Sequence, residues 1–133
     1  MKTHKYPLII LETHLDTFGH VNNATYLQLF EEARWDYITS RNYGLKRVQE
    51  TGLGPVILEI HLKFRRELVL RQKIVIETTF SSMQRKIAVI HQEVKDEEGK
   101  LNCTADFTFG LFDLKARKLV GPTPEWLEAI GIQ

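Results

Sequence analysis

Asp16 stands at the head of a stretch, Leu15 to Arg34, that reads LDTFGHVNNATYLQLFEEAR and joins a tight loop to a long apolar helix. Gly19 gives the loop backbone dihedrals that other residues avoid. Asn22 and Asn23 are helix-capping residue types placed where the helical period begins. The first turn of a helix carries N–H groups without intrahelical acceptors and the positive end of the macrodipole. A carboxylate beside such a terminus suits chemistry in which an oxyanion develops next to a base or a nucleophile.

Other reactive side chains are sparse. The one cysteine, Cys103, lies inside a strand-like alternation, where a thiol behaves as a small core hydrophobe, and it can form no internal disulfide. The five histidines are scattered without metal-ligand spacing, and no Gly-rich phosphate loop is present. Two local basic groups are present, Lys63-Arg65-Arg66 and Arg85-Lys86, each either a solvated strand end or a candidate contact for an anionic ligand.

The elements that must position these groups follow from hydrophobic period. Lys5 to His14 reads as a first strand delivering the chain to Asp16. From Asn23 to Arg41 the period predicts a helix, with Tyr26, Phe30, Ala33 and Tyr37 on one stripe and Leu27, Arg34 and Ile38 beside it. Leu29 and Trp35 widen the apolar surface, which predicts burial on more than one side. The helix stops near Asn42 to Gly44, and Leu45 to Gly54 forms a connector with a short helical turn.

Beyond Pro55 the period becomes two. Leu58, Ile60, Leu62 and Phe64 face one side, with Glu59, His61, Lys63 and Arg65 on the other. Gln72 to Phe80, Arg85 to Val94 and Leu101 to Leu111 repeat the pattern, with turns expected at Ser81–Gln84 and Asp96–Lys100. A basic loop follows Asp113, and Pro122 to Ile130 reads as a short terminal helix. The four later strands suit an antiparallel meander around the helix. Val75, Ala88 and Ile90 are expected on the face away from the helix, where a second copy would cover them.

The chain of 133 residues is one domain's worth of sequence, with 43% hydrophobic and 26% charged residues. A formal charge of +1 offers no bulk electrostatic case for nucleic acid or an anionic membrane. The apolar run Leu8 to Leu11 is too short for a signal peptide or a membrane span. With one unpaired cysteine, these features predict a cytoplasmic protein.

Asp16-Thr17-Phe18-Gly19-His20-Val21-Asn22-Asn23, followed by Tyr26-Leu27 and Glu32-Ala33-Arg34, resembles the D-x-x-G-H-V-N-N-x-x-Y-L…E-x-A-R pattern of hotdog-fold thioesterases. The similarity is to the 4-hydroxybenzoyl-CoA thioesterase/YbgC/FadM-like group, and Phe30 to Trp35 is most similar to the FadM-like long-chain enzymes. Lys63-Phe64-Arg65-Arg66 and Leu111-Phe112-Asp113 resemble two later strand ends of the family. Glu67 replaces a frequent proline, and Arg71-Gln72 a frequent Gly-Asp or Ser-Asp turn. These departures bear on that loop's shape and on acyl specificity, and leave the Asp16 motif intact.

The resemblance implies an α+β hotdog fold, residues 1–133, with one long central helix wrapped by a curved antiparallel sheet of about five strands. It implies hydrolysis of a medium- or long-chain acyl-CoA, with Asp16 as nucleophile or general base. Backbone N–H groups from Val21 to Asn23, above all Asn23, would stabilise the oxyanion. Phe18, Gly19, His20, Asn22 and Tyr26 fall in the substrate region; Phe18 and Tyr26 either wall the acyl pocket or pack the core. His20 either touches substrate or holds the loop, and Asn22 caps the helix. Arg65, Arg85 and Lys86 would meet the phosphates of coenzyme A, which is part of the substrate; no metal or separate cofactor is implied. A homodimer or homotetramer is implied as well. The rival readings are a hotdog hydratase/dehydratase and a non-catalytic acyl-CoA-binding module.

Overall fold

The computed structural model describes residues 3–132. The period-two stretches become strands and the long helical period becomes one helix. The order is β1 (Thr3–Ile9), a 3-10 turn (Glu12–His14), α1 (Asn23–Ser40), α2 (Leu45–Thr51), β2 (Leu53–Phe64), β3 (Lys73–Gln84), β4 (Ile87–Asp96), β5 (Leu101–Asp113), β6 (Lys118–Val120) and α3 (Pro124–Ala129). The strands form one antiparallel sheet in the order β1-β3-β4-β5-β2, with the short β6 paired to β5. The long α1 lies against one face of this sheet. This is the expected hotdog architecture with a sixth, short strand added.

Tyr26, Phe30, Ala33 and Tyr37 are buried as the stripe requires, joined by Leu29 and Ile38. Phe30 meets Phe107 of β5 edge to face, with centroids 5.7 Å apart. The alternation of β4 also sends one polar residue inward, the fully buried Gln92. Its Nε2 donates to Phe30 O at 3.1 Å and Thr78 Oγ1 at 2.9 Å, while its Oε1 accepts from Arg34 at 3.1 Å. A buried amide is tolerated when its hydrogen bonds are made. On the exposed side of α1, Glu32 accepts from the Tyr6 hydroxyl and Asp36 pairs with His4 at 2.7 Å, tying β1 to the helix.

Several expectations change. The first strand stops at Ile9, because the chain breaks into the 3-10 turn before His14. Only β3-β4-β5 form a meander; β2 pairs with β5 and becomes a sheet edge. β2 also carries a bulge between Ile57 and Glu59, so Leu58 is the extra residue and Ile57 joins Ile60, Leu62 and Phe64 on the helix side. The expected turn at Ser81–Gln84 is strand; a bulge at Ser81 absorbs one residue and β3 runs on to Gln84. Ala88 and Ile90 point into the core rather than away from the helix, since they pair with Phe109 and Phe107. Val75 does face away, between Pro7 and Lys95.

The hairpin therefore turns at Arg85-Lys86, with Arg85 at φ 58°, in the left-handed region. That conformation costs a non-glycine residue about 1–2 kcal/mol. Arg85→Gly is expected to stabilise the fold by about 1 kcal/mol, read from the urea midpoint; a fall in the midpoint would show that the arginine side chain outweighs the strain.

The outer face of the sheet is polar. His91 bridges two carboxylates, Nδ1 to Asp106 at 2.8 Å and Nε2 to Glu93 at 2.9 Å. Lys95 and Glu77 adjoin Glu93, and His61 lies opposite Asp106 in the neighbouring strand. Burial alone would lower the imidazole, yet the two carboxylate hydrogen bonds prevail and hold it above its ordinary value. The bond to His91 holds the Glu93 carboxyl below its ordinary value. A raised imidazole stabilises the fold fully below about pH 6.5, and that contribution disappears as pH rises through the folded value. The lowered Glu93 contributes above its unfolded value and loses its contribution in acid. The stability advantage of wild type over His91→Gln is thus expected to shrink between about pH 6 and pH 8 in urea titrations. A constant difference across that range would refute the coupling.

Candidate active site

The Asp16 loop is built by local turn chemistry. Phe18 N donates to Asp16 Oδ1 at 2.9 Å, and Gly19 N to Asp16 O at 3.1 Å. Gly19 has φ 85°, which the tight return from Asp16 requires. Asp16 N donates to His20 O at 3.1 Å, and Leu15 bridges Val21, closing the loop on itself. One carboxylate oxygen of the half-buried Asp16 is thus held, and the other accepts no hydrogen bond among the described residues.

At the head of α1, Asn22 is the cap, its side chain accepting from Ala24 N at 2.8 Å. Tertiary bonds then decide which N–H remains available. Val21 N donates to Leu68 O at 3.0 Å and Asn22 N to His14 O at 3.4 Å. The expectation that the Val21 N–H serves an oxyanion is therefore corrected: the Leu68 carbonyl already occupies it. Asn23 N, the first helical N–H, has no acceptor among the described residues. Asn23 also lines the cavity that Asp16 lines.

That cavity has a volume of about 560 Å³ and is lined by Asp16, Phe18, His20, Val21, Asn22, Asn23 and Tyr26 from the first motif, with Phe64, Arg65, Arg66 and Glu67 from the end of β2 and the loop beyond it. Phe18 is 82% exposed and stacks on His20 at 6.2 Å, so it stands at the mouth and does not pack the core. Tyr26 is buried, edge-on to Phe64 at 5.1 Å, and burial pushes its hydroxyl up to about 12, keeping it neutral. Gly19 shapes the loop without lining the cavity. Cys103 is fully buried and its thiol is pushed up to about 12 by burial, which removes it as a nucleophile.

The wall opposite Asp16 depends on residues that sequence reasoning passed over. Arg65 N and Arg66 N both donate to Asn102 O, at 2.9 and 3.0 Å, and Asn102 Nδ2 lies 3.3 Å from Glu67 O. The buried Asn102 thus holds the loop that carries the two arginines; period two puts it on the face opposite Cys103, and the register shift in β5 beside it is not legible in the alternation. Glu67 brings its carboxylate to 3.9 Å from His20 Nε2. Lys63, grouped with Arg65 by sequence, is absent from the cavity and pairs with Thr104.

Arg85 and Lys86 are not part of this cavity. They lie at the far end of β3, roughly 36 Å of strand from the Lys73 end that adjoins the Asp16 loop. Among the described residues no cluster of three or more His, Cys, Asp or Glu side chains is arranged to hold a metal ion. No described helix is long and apolar enough to cross a membrane.

Residues 11–130 match the model of the thioesterase-like superfamily. The chain is 31% identical over 118 residues to the long-chain acyl-CoA thioesterase FadM of Escherichia coli K12, covering 88% of this chain and 89% of that one. It superposes on the probable thioesterase YbaW of Escherichia coli with a TM-score of 0.83 at 29% identity, over 95% of both chains. The fold also matches protein SAV2348 of Staphylococcus aureus, solved in complex with CoA, with a TM-score of 0.90 at 16% identity, over 97% of this chain and 82% of that one. The chain belongs to the thioesterase-like superfamily and, within it, to the hotdog-fold acyl-CoA thioesterases.

Proposed function

We propose that this acyl-CoA thioesterase hydrolyses medium- or long-chain fatty acyl-CoA, with Asp16 as the reacting carboxylate and the Asn23 N–H as oxyanion donor. The observation that carries the reading is that the carboxylate and the first helical N–H of α1, which has no acceptor among the described residues, line a single cavity. The thioester carbonyl oxygen, directed at Asn23 N, gains negative charge when its carbon is attacked, and a fixed donor stabilises it most at that moment. Asp16 either attacks the carbon, giving a mixed anhydride that water then hydrolyses, or takes the proton of an attacking water. In both routes the C–S bond breaks and CoA leaves as thiolate, a good leaving group that needs little acid assistance. The reaction consumes only water and needs no metal or separate cofactor.

Arg65 and Arg66 at the mouth suit the phosphates of CoA. Arg85 and Lys86 reach the same ligand only from a second copy. Edge strand β2 leaves one side of its backbone unpaired, which favours a homodimer, alone or within a homotetramer. Two β2 strands paired antiparallel about a two-fold axis would bring the partner's β3–β4 hairpin to the Asp16 end of this chain. A cytoplasmic location accords with the unpaired Cys103.

The test is release of free thiol from butyryl- to palmitoyl-CoA and from aromatic acyl-CoAs. Turnover highest on the longer chains is expected. Binding of acyl-CoA without thiol release from any of them would favour a binding module and overturn the reading.

A further inference from the structure

Arg34 is a charged group that the reaction at Asp16 does not use. It projects from α1 toward the sheet, where its guanidinium lies 4.1 Å from the Phe107 ring centroid and donates once, to Gln92 Oε1. It forms no salt bridge among the described residues, and burial pulls it down to about 10. An arginine has five N–H donors, and among the described residues Arg34 uses one of them. The guanidinium borders a second cavity, of about 90 Å³, whose other walls are apolar apart from Glu31: Trp35, Ile57, Phe109 and Trp126 are among them. Glu31 is exposed and stands one helical turn before Arg34, on the same side of α1.

The two cavities lie at opposite ends of one apolar strip on β2. Phe64, which walls the Asp16 cavity, and Ile57, which walls the Arg34 cavity, are the two ends of the apolar strip on β2. Ile60, 43% exposed, and Leu62 lie between them on the same face. Along α1, Asn23 and Arg34 are separated by roughly 17 Å at the helical rise. A chain whose carbonyl meets Asn23 N and whose carbons follow the strip therefore ends between Glu31 and Arg34.

We infer that this cavity is a distal acyl subsite for a chain bearing a terminal hydroxyl, with Arg34 donating to the hydroxyl oxygen and Glu31 accepting its proton. A hydroxyl is the group that satisfies both side chains at once. A keto oxygen would use Arg34 alone, and a carboxylate would be repelled by Glu31. The inference rests on the acyl-CoA thioesterase reading and names the substrate class of that same site.

The experiment compares thiol release from octanoyl- to palmitoyl-CoA, each unsubstituted, ω-hydroxylated and ω-carboxylated, by wild type, Arg34→Met and Glu31→Ala. At the chain length that reaches the cavity, wild type is expected to show kcat/KM about tenfold higher for the ω-hydroxy chain than for the unsubstituted one. Arg34→Met abolishes that preference. Glu31→Ala, an exposed site that leaves the fold intact, weakens it and relieves the exclusion of the ω-carboxy chain. Equal hydroxyl-to-hydrogen ratios in wild type and both variants would make Arg34 a core cation satisfied by Phe107 and Gln92, and would overturn the inference while leaving the thioesterase intact. Absence of thiol release from every chain, butyryl included, would instead remove the reading on which it rests. If Arg34→Met fails to fold, the wild-type ratio and Glu31→Ala still decide.

Discussion

Asp16→Asn is expected to lower kcat for thiol release by about a hundred- to ten-thousand-fold, the range spanned by removal of a positioned base, and by more if Asp16 is the nucleophile. Asparagine keeps an oxygen to accept from Phe18 N, so the turn survives and what disappears is the second, reactive oxygen. Two measurements separate chemistry from folding. The unfolding midpoint should stay within about 0.5 kcal/mol of wild type, as for substitutions that remove no packing. Binding of a non-hydrolysable acyl-CoA analogue should be retained, because Asn23, Arg65, Arg66 and the cavity walls are untouched. Equal turnover in wild type and variant would place the chemistry elsewhere on the chain. Loss of binding together with turnover would make Asp16 a binding residue.

Phe30→Ala should cause the largest stability loss of the substitutions considered, about 3–5 kcal/mol. Phe30 is fully buried at the middle of α1, packed edge to face on Phe107, and its carbonyl accepts from Gln92. Removing the ring takes away the contact through which α1 rests on β5 and leaves a void too deep in the core to collapse cheaply. For a domain of this size the loss is a large part of a total near 5–15 kcal/mol. The urea midpoint and the thermal transition both read it. A change below about 1 kcal/mol would mean the core repacks around the void and that α1 is seated mainly by its polar ties through Gln92.

The two experiments probe one arrangement from opposite sides. The reactive oxygen of Asp16 is useful only if the N-terminus of α1 is held still, and α1 is held by its buried stripe on the sheet. Rate lost without stability in the first variant, and stability lost from a residue outside the site in the second, are the paired expectations.

The features legible in the sequence were local. The Asp16 turn, the Asn22 cap and the α1 stripe each depend on residues within a few positions of one another, where turn chemistry and period act directly. The inward position of Cys103 follows from strand alternation in the same way. The family pattern added the hotdog architecture and the role expected of Asp16. What only the tertiary structure decided was set by distant partners. The Leu68 carbonyl takes the Val21 N–H, while Asn23 N keeps no acceptor among the described residues; nothing near Val21 in the chain indicates this. The order β1-β3-β4-β5-β2 puts β2 at an edge and exposes its apolar strip, although its alternation reads like that of any half-buried strand. Arg85 and Lys86 look no different in sequence from Arg65 and Arg66, yet the direction of β3 carries them to the opposite end of the sheet. Ala88 and Ile90 face inward because bulges and strand pairing set the phase of the alternation, and a one-residue shift reverses every side chain. Period specifies which elements form; strand order, register and the acceptors available to each N–H are long-range choices, made only when the sheet closes over α1.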